Sequence, residues 1–163
     1  MSAVEIDVAI GCDGWPDEAD LSAMAQSAFS SAVNVLELEE QFNVSLLFTS
    51  DAAVQALNRE WRGKDKPTNV LSFPAGESPT DNDIAFLGDI ALAFETVERE
   101  ALDEGKIFDH HLTHLLLHGF LHLCGYDHET SDEDAEEMET LERAILARLA
   151  IADPYAINEN ESE

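Results

Sequence analysis

The chain has 163 residues, enough for one domain, which at this size buries roughly 68–70% of its unfolded surface, and its two cysteines (Cys12, Cys124) are too few for a disulfide framework. Eight basic residues stand against 35 acidic ones, a net charge of −27 that repels nucleic acid at long range and argues against bulk binding to it. No run nears the roughly 18 apolar residues of a membrane helix, and the first basic residue is Arg59 where a targeting segment wants early positive charge, so a cytoplasmic protein is expected.

Residues 4–10 alternate Val4, Ile6 and Val8 with Glu5 and Asp7, which predicts a half-buried strand. Leu21, Met24, Ala25, Ala28, Phe29, Ala32, Val33 and Leu36 recur at helical spacing over residues 17–38, and 43–49 reads as a second strand. Ser50 and Asp51 are placed to cap a helix over 52–61, with Val54, Leu57 and Trp61 on one apolar stripe. A polar turn over 62–68 empties into a short strand at 70–73, and a loop spans roughly 74–84. A strand is expected over 86–94, a charged helix over 95–104, a strongly apolar helix over 110–124 and an acidic amphipathic helix over 131–149. Thr130 and Glu133 have the spacing of a capping box for that last helix. The expected fold is therefore α+β, a small mixed β-sheet packed with several helices, in a single domain over 1–152 followed by an acidic tail over 153–163.

All six histidines lie between positions 110 and 128, the strongest chemical signal in the chain. His118 and His122 stand at i and i+4, neighbours on one helix face, so both rings can reach one ion at about 2.0–2.1 Å. Gly125 can turn the chain in a left-handed conformation and return His128 toward the pair. His114 continues the ladder one turn earlier, but it lies about 12 Å along the axis from His122, so one ion cannot take 114, 118 and 122 together. His114 is therefore expected to pack or to orient a ligand ring, and His110 and His111 to sit at the helix start or surface. Cys124 points elsewhere around the helix and is expected to be a small core residue. Three imidazoles leave a tetrahedral position for water, the pattern of a catalytic zinc site, so a hydrolase on a buried helix of the C-terminal half is expected.

The spacing His118, His122, Gly125, His128 is that of the metzincin peptidases, whose position after the first histidine is a glutamate base. Here it is Gly119, which removes the usual base for peptide hydrolysis. The run His118-Gly-Phe-Leu-His-Leu-Cys-Gly-Tyr-Asp-His128 instead resembles the signature of the YbeY family, bacterial endoribonucleases that act in ribosomal RNA maturation. The block from Leu57 to Phe73 and the run Leu87-Gly88-Asp89-Ile90 resemble two further motifs of that family, with Trp61 standing where a tyrosine is expected. The resemblance covers roughly residues 40–150 and implies a metal-dependent endoribonuclease that prefers single strands, processes the 16S rRNA 3′ end and serves ribosome quality control. It implies metal ligands at His118, His122 and His128, with zinc expected although three imidazoles also accept nickel, copper or cobalt, partners in single-stranded rRNA, the small ribosomal subunit and its assembly factors, and no membrane. It also implies a catalytic Arg62, consistent with the ability of a guanidinium fork to neutralise phosphate charge; Arg59 is its less certain neighbour.

With Arg59, Arg62, Lys64 and Lys66 inside eight positions, RNA contact is expected to be confined to this small positive patch. Asp89 and Asp127 are candidates for a general base or for orienting a ligand imidazole, the second being favoured. A metzincin-like zinc peptidase and a ribosome-assembly factor with a structural metal are the alternatives.

Overall fold

A computed structural model of the chain describes residues 4–75, 84–126 and 131–151. The elements are β1 (Val4–Ile10), α1 (Glu18–Leu36), β2 (Gln41–Thr49), α2 (Asp51–Arg62), β3 (Val70–Pro74), β4 (Ile84–Ala93), α3 (Phe94–Asp103), α4 (Phe108–Leu123) and α5 (Asp132–Arg148). Each follows an expected element, with ends shifted by a few residues. The strands form one mixed sheet in the order β1-β2-β4-β3, parallel except for the antiparallel pair β3-β4 at one edge. The fold is α+β.

Period-two alternation along β2 and β4 sorts side chains onto two unequal layers. Val44, Leu46, Phe48, Ile90 and Leu92 face the larger layer, where α1, α4 and α5 pack. At its centre α4 buries Leu112, Leu115, Leu116, Leu117, Phe120 and Leu121, and Phe120 stacks on Phe29 of α1 at 4.6 Å. Each such fully buried side chain contributes about 1.5–3 kcal/mol, which fixes α4 firmly enough to serve as a platform. On the opposite face, Leu71, Ala91 and Ala93 meet Val54 of α2 in a much smaller cluster.

Ser50 caps α2 as expected, accepting a hydrogen bond from the Ala53 amide at 3.2 Å. The expected apolar stripe on α2 is only partly used: Val54 is fully buried, whereas Trp61 is 67% exposed. The cap of α5 is Ser131, which accepts from the Asp134 amide at 3.0 Å, one residue beyond the expected Thr130, which lies outside the described residues.

The register of β4 against β2 slips by one residue, Asn43 pairing with Phe86 and Val44 with Gly88, so that Leu87 is the extra residue of a bulge. Gly88 has φ of 142°, and a Cβ there would strike the Phe73 carbonyl oxygen and the Pro74 Cα on the adjacent strand. The neighbours are backbone atoms that cannot swing aside. Gly88→Ala is therefore expected to cost about 2–3 kcal/mol, read as a lowered midpoint in chemical denaturation.

Candidate metal centre

The C-terminal end of α4 supplies the site. Gly125 adopts φ of 104°; its amide bonds the His122 carbonyl at 3.0 Å and the Tyr126 amide bonds that of Leu121 at 3.0 Å. This paired closure is the expected left-handed glycine stop, and it ends α4 just past His122. His128, like Asp127, lies outside the described residues.

His118 and His122 present their rings edge to face, with centroids 4.6 Å apart and planes at 82°. Their Nε2 atoms stand 3.1 Å apart. Two nitrogens bound to one zinc at about 2.0–2.1 Å in tetrahedral geometry lie about 3.3 Å from each other, so the pair is already spaced as ligands of one ion.

What holds His118 in that pose is Glu142 of α5. Its carboxylate accepts from His118 Nδ1 at 2.7 Å through one oxygen and from His114 Nε2 at 2.6 Å through the other. With its proton on Nδ1, His118 turns a lone pair at Nε2 toward His122, the tautomer a metal ligand needs. Glu142 is fully buried. Burial alone would raise its carboxyl, but the hydrogen bonds from His114 and His118 and the closeness of both rings outweigh that and pull it down to about 2. It is thus a carboxylate at neutral pH. Burial holds the His114 imidazole below its ordinary value, against the opposite pull of Glu142.

Ligand atoms of His114, His118 and Glu142 lie within 4.8 Å of one another, so these three form a group that could hold a metal ion. Chemically the centre therefore offers two overlapping sets of donors that share His118. The oxygens of Glu142 already satisfy ring N–H groups at hydrogen-bond distance, which suits an orienting role better than direct ligation.

The other expected site residues are spread around the β3 edge. Arg62, at the end of α2, donates to the Ser72 carbonyl and lies over the Phe73 ring, 5.5 Å from its centroid. The Ser72 hydroxyl in turn donates to the Gly119 carbonyl at 3.3 Å, linking Arg62 through β3 to the helical turn that bears His118 and His122. Arg59 is exposed and pairs loosely with Asp65 at 3.6 Å. Asp89 alternates with Ile90, whose side chain faces Gly119 of α4, so its carboxylate points to the opposite face of the sheet, away from His118 and His122. The expectation that Asp89 orients a ligand ring is corrected accordingly. Glu142 has that geometry instead, and the sequence reading missed it. His111, expected at the helix start or the surface, lies in the first turn of α4, where it is buried and bonded to Glu100 at 2.9 Å. Burial, with the charge of Glu40, pushes the Cys124 thiol up to about 12.

Gly119 has a packing explanation. A Cβ there would sit 3.0 Å from Ile90 Cγ2 and 3.1 Å from Ser72 Oγ, so α4 lies flush on the sheet at this turn. The position that carries the base in peptidases faces the core here.

An α+β fold with a histidine cluster that could hold a metal on a buried helix and an arginine at the neighbouring sheet edge fits a metal-dependent hydrolase. The comparisons narrow it. The family model for endoribonuclease YbeY matches residues 13–150. An endoribonuclease YbeY of Allorhizobium ampelinum is 53% identical over 163 residues, covering 96% of this chain and 97% of the relative. One of Chelativorans sp. is 56% identical over 156 residues, covering 94% of each. The solution structure of a Thermotoga maritima protein matches with a TM-score of 0.55 at 27% identity, covering 89% of this chain and 91% of that one. The chain belongs to the endoribonuclease YbeY family, nucleases that act on RNA.

Proposed function

We propose that this chain hydrolyses phosphodiester bonds of single-stranded RNA at a zinc ion held by His118, His122 and His128. The observation that carries the ligand choice is the 3.1 Å separation of the His118 and His122 Nε2 atoms, with Glu142 bonded to the far side of His118. Three neutral nitrogens and an open position fit zinc and leave room for substrate. When bound, the ion supplies Lewis acidity toward a phosphoryl oxygen and lowers the pKa of water.

The protein's own groups do the rest. Glu142 fixes the His118 ring, and the Schellman turn at Gly125 ends α4 just past His122. Arg62 has five N–H donors, so it can hold a phosphate while one of them stays on the Ser72 carbonyl. Gly119 packs against the sheet where a peptidase would need its glutamate, which disfavours peptide hydrolysis. By family resemblance the substrate is the 3′ region of 16S rRNA, met in the cytoplasm on the small ribosomal subunit with its assembly factors. Among the described residues no helix is long and apolar enough to cross a membrane.

The test compares wild type with Arg62→Ala on a single-stranded RNA, measuring metal content of each by elemental analysis. The expected outcome is unchanged metal and cleavage slowed by roughly 100-fold, the scale on which loss of one transition-state donor is felt. Equal cleavage rates in the two proteins would remove Arg62 from the reaction; a wild type that cleaves no RNA would remove the reaction itself.

A further inference from the structure

The face of the sheet turned away from α4 carries a cavity of about 470 Å³ that the metal centre does not use. That volume lies within the range of about 300–1,000 Å³ usual for small-ligand pockets. Its floor is a row across three strands in register: Ser45 on β2, Asp89 on β4 and Phe73 on β3. Leu47, Leu57 and Trp61, the last two from α2, complete its lining. Trp61 is the notable member, because an indole 67% exposed on a helix that otherwise packs its apolar face is not held there by the core.

Charge tells what the cavity is fit to receive. Half of the chain's eight cations (Arg59, Arg62, Lys64, Lys66) lie at the end of α2 beside Trp61 and in the turn that follows. That turn is pinned to α2 by Asn58, which donates to the Lys66 carbonyl at 2.9 Å, and by Gln55, which donates to Asp65 at 3.0 Å. An otherwise acidic molecule therefore carries half of its cations on the α2 end and the turn beside Trp61, which lines an apolar cavity together with one carboxylate. Cations for phosphates, an aromatic ring for a flat base and a carboxylate for an exocyclic amino group are the parts that recognise a nucleotide in a single strand.

We propose that this cavity is a nucleobase subsite, in which an unpaired RNA base stacks against Trp61 and donates its amino group to Asp89. Arg62 sits between the two sites, over Phe73 on one side and bonded to Ser72 on the other, so a strand crossing the β3 edge would run from the subsite to the histidines. Partial burial raises the Asp89 carboxyl from its ordinary value, and the group keeps enough exposure to meet a ligand. The inference rests on RNA being the substrate, but base recognition is separable from cleavage.

The test uses cytidine, adenosine and uridine 5′-monophosphates, which contain no internucleotide bond to cut, titrated into the metal-loaded full chain and followed by amide chemical shifts. Saturable shifts are expected at Ser45, Asp89, Ala91 and the end of α2, stronger for the amino-bearing bases than for uridine. Trp61→Ala, at an exposed position that does not support the core, is expected to weaken binding of all three about tenfold. Asp89→Asn is expected to erase the preference over uridine. Silence at the cavity, or equal affinity in Trp61→Ala and wild type, would overturn the subsite and leave the cavity to a side chain of a protein partner. RNA cleavage by the same preparations separates the two ideas: cleavage with a silent cavity sinks the subsite alone, and binding without cleavage sinks the reaction alone.

Discussion

Glu142→Leu is expected to lose roughly 3–5 kcal/mol of stability and most of the metal affinity. The carboxylate is fully buried and takes one hydrogen bond from His114 and one from His118, at 2.6 and 2.7 Å. Leucine has similar bulk but no acceptor, so two ring N–H groups inside the protein lose their partner together. Breaking a buried, hydrogen-bonded charge by removing one partner costs about 3–5 kcal/mol in other proteins. Freed from Glu142, the His118 ring can adopt the wrong tautomer or rotate, and loss of such orienting groups weakens metal binding about 10–100-fold. Glu142→Gln keeps one acceptor oxygen and should fall between leucine and wild type. Thermal or denaturant unfolding reads the first effect and metal titration the second; a Glu142→Leu protein as stable as wild type would mean that α5 holds the histidines by packing alone.

Gly119→Glu writes the peptidase motif into the chain, and it is expected to unfold the protein rather than create a peptidase. The first atom of the new side chain would already stand 3.0 Å from Ile90 Cγ2 and 3.1 Å from Ser72 Oγ, between α4 and the sheet. Ile90 is fully buried, so the carboxylate would have to be dragged into an apolar seam without a partner or push the helix off the strand. Overpacking alone costs about 1–3 kcal/mol, and the unpaired charge brings the total beyond about 4–5 kcal/mol. Against a total stability of about 5–15 kcal/mol, this leaves little or nothing folded. Gly119→Ala should show only the overpacking part. The check is denaturation of both variants beside a casein assay; a soluble, folded Gly119→Glu protein that cuts casein would contradict the packing explanation.

Much of this was legible from the residues because two periodicities carried it. Val4, Ile6 and Val8 alternate in β1 as a half-buried strand must, and α4 is apolar on nearly all sides because it is covered on nearly all sides. The histidine pair and the glycine stop were equally visible, since both depend on local spacing. Glu142 was not, because it is one of 35 acidic residues and sits in a helix rich in them. Its signal was positional: it occupies the stripe of Met138, Ile145 and Leu146, where a lone carboxylate must have a buried partner. Asp89 was misplaced for a related reason. Local spacing does not say which face of the sheet Asp89 occupies relative to the histidines, and only the packing of Ile90 under Gly119 reveals it. Trp61 fell at a helical period yet stays in solvent, because the sheet ends beneath it in a cavity rather than in core side chains.

Two donor sets share His118, and one residue tells them apart. His122 belongs to the pair with facing Nε2 atoms and not to the group of His114, His118 and Glu142. Metal stoichiometry measured on purified wild type, His122→Ala and His114→Ala is expected to give one ion per chain, near zero, and close to one ion, in that order. Metal retained in His122→Ala and lost in His114→Ala would contradict the proposed ligand set and move the ion to the carboxylate side of His118.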